Sequence, residues 1–213
     1  AGTALKGVTV AIGTVSTAFA GLVTASVNAR GEIEQQIGGV ETLFKDNASK
    51  VIKNAENAYK TAGMSASEYM QTVTSFSASL LQGLGGDTSK AADVADMALK
   101  DMSDNANKFG TSMESIQFAY QGFAKQNYTM LDNLKLGYGG TKTEMERLLK
   151  DAQKLTGVKY DINNLSDVYT AIHVIQEELG VTGTTAKEAS STLQGSFASM
   201  SASWNNFLSG SGD

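Results

Sequence analysis

Proline is absent from the chain, although about ten would be expected in 213 residues at the usual ~5% frequency. Proline removes a backbone donor and clashes with the preceding helical turn, so its absence favours long helices. Chain punctuation then falls to the 22 glycines. Cysteine is absent too, which excludes disulfides and thiolate metal ligands. Histidine occurs once, as His173, between Ile172 and Val174 on a predicted helix. With no second imidazole, no thiol and no serine in a G-x-S-x-G context, neither a metal site nor a nucleophilic triad can be traced. His173 is therefore read as structural or solvent-facing. Positive charge is also short, with 17 Lys and Arg against 22 Asp and Glu, a net charge of −5. Duplex binding needs clustered Lys and Arg to displace counterions, so tight DNA binding is not expected. No catalytic, cofactor-binding or metal-binding residue is predicted.

What is present is helical punctuation. Four capping boxes place a hydroxyl before a glutamate three residues on: Ser65/Glu68, Thr111/Glu114, Thr141/Glu144 and Thr185/Glu188. Asp87 and Asn164 are further N-cap candidates. Each start is followed by an apolar stripe at helical spacing. After Ser65 come Tyr69, Val73, Phe76, Leu80 and Leu84, up to Gly85-Gly86. After Asp87 the small face is Ala91, Ala95, Ala98, Met102 and Ala106. After Thr111 come Met113, Ile116, Tyr120 and Phe123. After Thr141 come Met145, Leu148, Leu149, Ala152 and Leu155, stopped by Gly157. After Asn164 come Leu165, Val168, Ile172, Ile175 and Leu179, stopped by Gly180. After Thr185 come Ala189, Leu193, Phe197, Met200, Trp204 and Phe207. Gly31 should break the pattern, and a further stripe, from Val40 to Tyr59, lies on a helix from Glu32 to Lys60 that Gly38-Gly39 should kink or divide. No stripe is wide enough to be buried alone, so the helices must pack on one another. The expected fold is all-α, a multi-helix bundle with an apolar, glycine-rich N-terminal helix. Residues 1–30 form that helix, 31–208 the bundle core and 209–213 a Gly/Ser-rich end of a fragment.

Residues 7–29 carry no charge. As a helix they would extend roughly 35 Å at 1.5 Å per residue, enough to cross a bilayer. Gly13, Thr17 and Gly21, four apart, form a face that permits close helix approach. A buried or self-associating helix and a membrane-active one both remain open.

Two motif lookalikes fail, one on spacing and one on residue type, and an acidic run has a plain reading. Gly139-Gly140-Thr141-Lys142-Thr143 lacks the preceding strand and the spacing of a phosphate loop. Asp101-Met102-Ser103-Asp104-Asn105 begins like a calcium loop but has Ala106 for the sixth-position glycine and Ser112 for the twelfth-position glutamate. The acidic run Asp93, Asp96, Asp101, Asp104, interleaved with Lys90, Lys100 and Lys108, reads as a solvated helix face.

The most distinctive stretch runs from Gln121 to Leu149, through the Gly137-Tyr138-Gly139-Gly140 loop and into a helix at Thr141. Tyr128 and Tyr138 beside it fall off any core stripe, as loop anchors or as contacts to another chain.

Long runs of the chain resemble tape measure proteins from the tails of phages of Gram-positive hosts, over about residues 31–207. The runs are GGVETLF from Gly38, SASEYMQTVTSFSASLLQGLGGD from Ser65 and MALKDMSDNANKFGTSMESIQ from Met97. They continue with AYQGFAKQNYTMLDNLKLGYGGTKTEMERLL from Ala119, LSDVYTAIHVIQEELGVTGTTAKEAS from Leu165 and SASWNNFLSG from Ser201. The resemblance implies a non-enzymatic structural virion protein that scaffolds tail tube assembly, sets tail length and is ejected to help DNA pass into the host. It implies further copies of the chain in the tail lumen, tail tube and distal hub proteins as partners, and the host envelope as a destination. The uncharged residues 7–29 support an alternative, a membrane-active helical protein of toxin or channel type with the host membrane as partner.

Overall fold

The computed structural model describes residues 27–192. Within it the chain forms α1 (Val27–Phe44), α2 (Ala48–Thr61), α3 (Ala66–Gly83), α4 (Thr88–Phe109), α5 (Met113–Phe123), α6 (Lys142–Thr156) and α7 (Leu165–Glu178). Short 3-10 turns at Lys45–Asn47 and Leu131–Leu134 join α1 to α2 and interrupt the connection from α5 to α6. Residues 184–192 are also helical. No strand occurs among the described residues, and residues 158–162 are an irregular connector. The expected all-α multi-helix class is the observed one.

Helix α4 occupies the middle. It packs against α1, α2, α3, α5 and α7, while α6 lies against α7. Its alanines explain how so many neighbours fit. Ala91, Ala92, Ala95 and Ala98 are all buried and keep the face slim enough for close approach. Larger side chains from the surrounding helices fill the space, among them Phe44, Met70, Phe76, Leu80, Ile116 and Leu148. An aromatic chain crosses the bundle. Phe76 meets Tyr169 edge-on at 5.5 Å, Tyr169 meets Tyr120 at 5.0 Å, and Phe123 stacks on Tyr128 at 6.1 Å. Such pairs add about 0.5–1.5 kcal/mol each beyond area burial.

The local caps form largely where the sequence places them. Ser65 accepts from the Glu68 amide, Asp87 from Lys90, Thr141 from Glu144 and Asn164 from Ser166. Gly110 and Gly157 end their helices in the left-handed conformation. Two caps are corrected. Ser112, not Thr111, caps α5 by accepting from the Ser115 amide. The Thr185/Glu188 box is replaced by Asp104 of α4, which accepts from the Gly183 and Thr185 amides.

Glycine placement is corrected as well. Helix α1 runs through Gly31 and through Gly38-Gly39 without ending. Gly39 instead sits against α3, where an added Cβ would touch the Thr74 methyl at 3.7 Å. The break comes at Lys45, which takes a positive φ of 49°. Stripe ends are overextended too: Tyr59, Leu155 and Leu179 sit in or just beyond the last turns of their helices and are about half exposed. Of residues 7–29, only 27–29 are described, as the opening of α1. Gly13, Thr17 and Gly21 lie outside the described residues, as do Leu193, Phe197, Met200, Trp204 and Phe207.

Candidate functional site

Polar groups inside an all-α core mark where more than hydrophobic packing is at work, because each needs a partner to offset lost hydration. They concentrate on one turn of α4. Asp101, Met102, Ser103, Asp104 and Asn105 are all buried, so helices enclose this turn on every side. The acidic run is therefore not a solvated face at its C-terminal half. Nor is 101–105 a loop, since it lies inside α4.

Asp101 faces His173 of α7. Its carboxylate oxygens lie 2.8 and 3.1 Å from the imidazole Nδ1. On the other side of the ring, Nε2 is 3.4 Å from the Glu177 carboxylate, one turn along α7. Burial pushes the Asp101 carboxyl up to about 6, against the opposing pull of His173. The hydrogen bond to Asp101, more than any other influence, raises the His173 pKa above its usual value. Asp104, on the same turn as Asp101, and Glu177 add to that upward push. The arrangement holds a proton between α4 and α7. Nδ1 is engaged by Asp101, while Nε2 makes only a longer contact with the exposed Glu177 side chain.

Further stitches surround the pair. The Asn105 amide donates to the Leu134 carbonyl at 2.9 Å and ties α4 to the 3-10 turn before α6. The Tyr169 hydroxyl donates to the Tyr120 carbonyl at 2.9 Å. The Gln176 amide reaches the Tyr120 hydroxyl at 3.3 Å. Burial raises the Tyr120 and Tyr169 pKa values, so both phenols stay neutral, Tyr169 as donor to the Tyr120 carbonyl and Tyr120 as acceptor from Gln176. Along α4, Asp96 accepts from the Tyr69 hydroxyl at 2.7 Å and pairs with Lys100. Among the described residues no group of three His, Asp or Glu side chains is placed to hold a metal ion.

The 121–149 stretch forms a second, surface construction. Tyr128 is buried and its hydroxyl donates to the Ile162 carbonyl at 3.0 Å. Tyr138 is half-buried, bonds Asp151 at 3.1 Å and carries the Arg147 guanidinium 4.3 Å over its ring. Arg147 also bonds the Gly137 carbonyl at 2.8 Å and the Glu144 carboxylate at 2.6 Å. Hydrogen bonds from Arg147 and from the Gly139 amide pull the Glu144 carboxyl down to about 2. Both tyrosines thus serve as loop anchors within the chain. Gly140 is required by close approach, because a Cβ there would lie 2.2 Å from the Thr129 carbonyl oxygen.

Met102 aside, no residue in the 101–105 turn stood out from sequence as buried. The available signal was Asp101, Ser103, Asp104 and Asn105 interrupting the alanine face within one turn, wide enough to reach the side where α7 packs. No family model, curated protein or solved structure matches the chain.

Proposed function

We propose that the chain is a packed helical module of a phage tail tape measure protein, a structural virion component rather than an enzyme. The single observation that carries this is the set of long runs, from GGVETLF at Gly38 to LSDVYTAIHVIQEELGVTGTTAKEAS at Leu165, that resemble the family. The packing supports a scaffold part over a ruler. Length measurement needs an extended chain, whereas the resembling runs contribute side chains to one shared core. The interior polar groups support the same view, since His173, Asp101, Asp104 and Asn105 are each engaged in joining elements. In the tail lumen, several copies would line up with the tube and hub proteins, scaffold tube assembly, set tail length and leave ahead of or with the DNA. A surface of net negative charge suits a conduit shared with DNA, because tight binding would obstruct passage.

Disrupting the gene in the phage or prophage genome that carries it tests the proposal. Particles with tails missing or of irregular length are expected, restored by the gene in trans. Normal tails of normal length and full infectivity would refute the proposal.

The uncharged run 7–29 favours a second reading, a membrane-active helix. Among the described residues no helix is long and apolar enough to cross a membrane, so that reading rests on the run alone. Vesicle leakage caused by residues 1–213 but not by residues 31–213 would support it. Equal inertness of the two at high concentration would remove it.

A further inference from the structure

We propose that the Asp104 carboxylate is a releasable latch on a strap that begins at Gly183, and that opening it frees residues 183–192 while α1–α7 stay folded. Val181 is fully buried and is the last described residue to lie in the core. Two residues later Gly183 takes a φ of +83°, a left-handed pivot that side-chain-bearing residues rarely adopt. Beyond it, none of residues 184–192 is buried. A helix in a protein draws most of its stability from a buried face, and this stretch offers only the half-buried Thr184, Thr185, Ala186 and Ala189.

What holds it is polar and gathered at its foot. The Gly183 amide donates to Asp104 Oδ2 at 2.6 Å, and the Thr185 amide to Asp104 Oδ1 at 2.8 Å. The Thr184 hydroxyl donates to the Asp104 carbonyl at 3.3 Å, and the Thr185 hydroxyl lies 3.1 Å from that of Ser103. Asp104 therefore acts as an N-cap supplied from a different helix, about eighty residues away in sequence. A local cap travels with its helix. This one holds only while α4 and the strap are together, so losing it undoes the cap and the attachment in one step. Thr185 also walls a cleft of about 270 Å³ with Gly63, Met64, Glu68, Asn107 and Met113, which the departing strap would open. The inference goes beyond the proposed function and does not depend on it.

Limited trypsin digestion of residues 1–213 under native conditions reads the latch directly. Lys187 lies inside the strap, whereas Lys100 and Lys150 lie in α4 and α6. A protease needs an opened segment, so the cutting rate reports local release. Asp104→Asn, which turns one acceptor oxygen into a donor, should speed cleavage after Lys187 about ten-fold, the scale of a lost cap. Lys100 and Lys150 should stay protected. Gly183→Ala strains the pivot without touching α4 and should also speed cleavage at Lys187. The proposal is overturned if Asp104→Asn leaves the Lys187 rate unchanged, or if all three sites open together. Global unfolding of Asp104→Asn overturns it as well, because Asp104 would then be part of the core rather than a latch.

Discussion

A histidine with both nitrogens against carboxylates makes folding sensitive to pH, and the sign follows from the two shifts. His173 has a raised pKa in the folded state, so its contribution is complete below about 6.5 and fades as pH rises through the folded value. Asp101 is likewise raised, to about 6, so the folded chain also holds its proton longer and loses stability as pH climbs from the ordinary carboxylate range to about 6, where that loss is complete. Asp104 and Tyr120 on α4 and α5, with Glu177 on α7, are the other titratable groups coupled to the pair. Asp87, Glu144 and Asp151 carry depressed values, but they act only as pH falls through and below the ordinary carboxylate range. The melting temperature should therefore be lower at pH 8.5 than at pH 5.5, mainly through loss of the His173 proton. Combining His173→Gln with Asp101→Asn should flatten that slope, and an unchanged slope would remove the pair as its source. His173→Gln alone leaves a buried carboxylate unpaired. It should cost about 3 kcal/mol at pH 7, the low end for a broken buried pair because the imidazole is 24% exposed. At Gly140 steric contact decides instead. Gly140→Ala must displace the Thr129 carbonyl and should cost about 1–3 kcal/mol by overpacking. Gly139→Ala, whose Cβ would meet only the flexible Glu144 side chain at 3.5 Å, should cost less. Chemical denaturation of both variants checks the order.

For the helices as elements, legibility in the sequence tracked distance along the chain. Ser65, Asp87, Thr141 and Asn164 cap the helices that follow them, because a cap bonds an amide two or three residues away. Apolar stripes were legible for the same reason, up to the last turn, where Leu155 and Leu179 run out of neighbours. Thr111 and Ser112 are both good caps, and the one-residue choice between them was settled by packing. Ser112→Ala should therefore cost about 1 kcal/mol and Thr111→Ala clearly less, since the Thr111 hydroxyl makes only a long 3.4 Å contact with the Asn133 carbonyl. Equal losses in thermal melts would return the cap to Thr111. What could not be read was any pairing across the fold. Asp101 meets His173 72 residues on, and Asp104 meets Thr185 81 residues on. Aspartates beside lysines look solvated until one knows which helix faces them. Gly31 and Gly38-Gly39 misled in the opposite direction. Glycine weakens a helix by about 1 kcal/mol against alanine, which neighbours can override when small residues let them close in.

Among the described residues, α4 is the post on which α1, α2, α3, α5 and α7 lean, so damage beside it should spread. Leu80→Asp places an unpaired charge in a fully buried position and should cost several kcal/mol, lowering the melt of the whole bundle. Retention of the parent melting curve would mean that Leu80 faces solvent. The surplus of 22 acidic over 17 basic residues predicts duplex DNA binding weaker than micromolar at physiological salt, checked by fluorescence anisotropy. The central claim is that this module belongs to the phage tail, and its most direct test is the protein content of purified particles. Mass spectrometry of gradient-purified virions from the phage or prophage that encodes the chain should recover peptides of residues 27–192 in several copies per tail. Their absence from virions, with recovery only from the membrane or soluble fraction of the same lysate, would contradict the account.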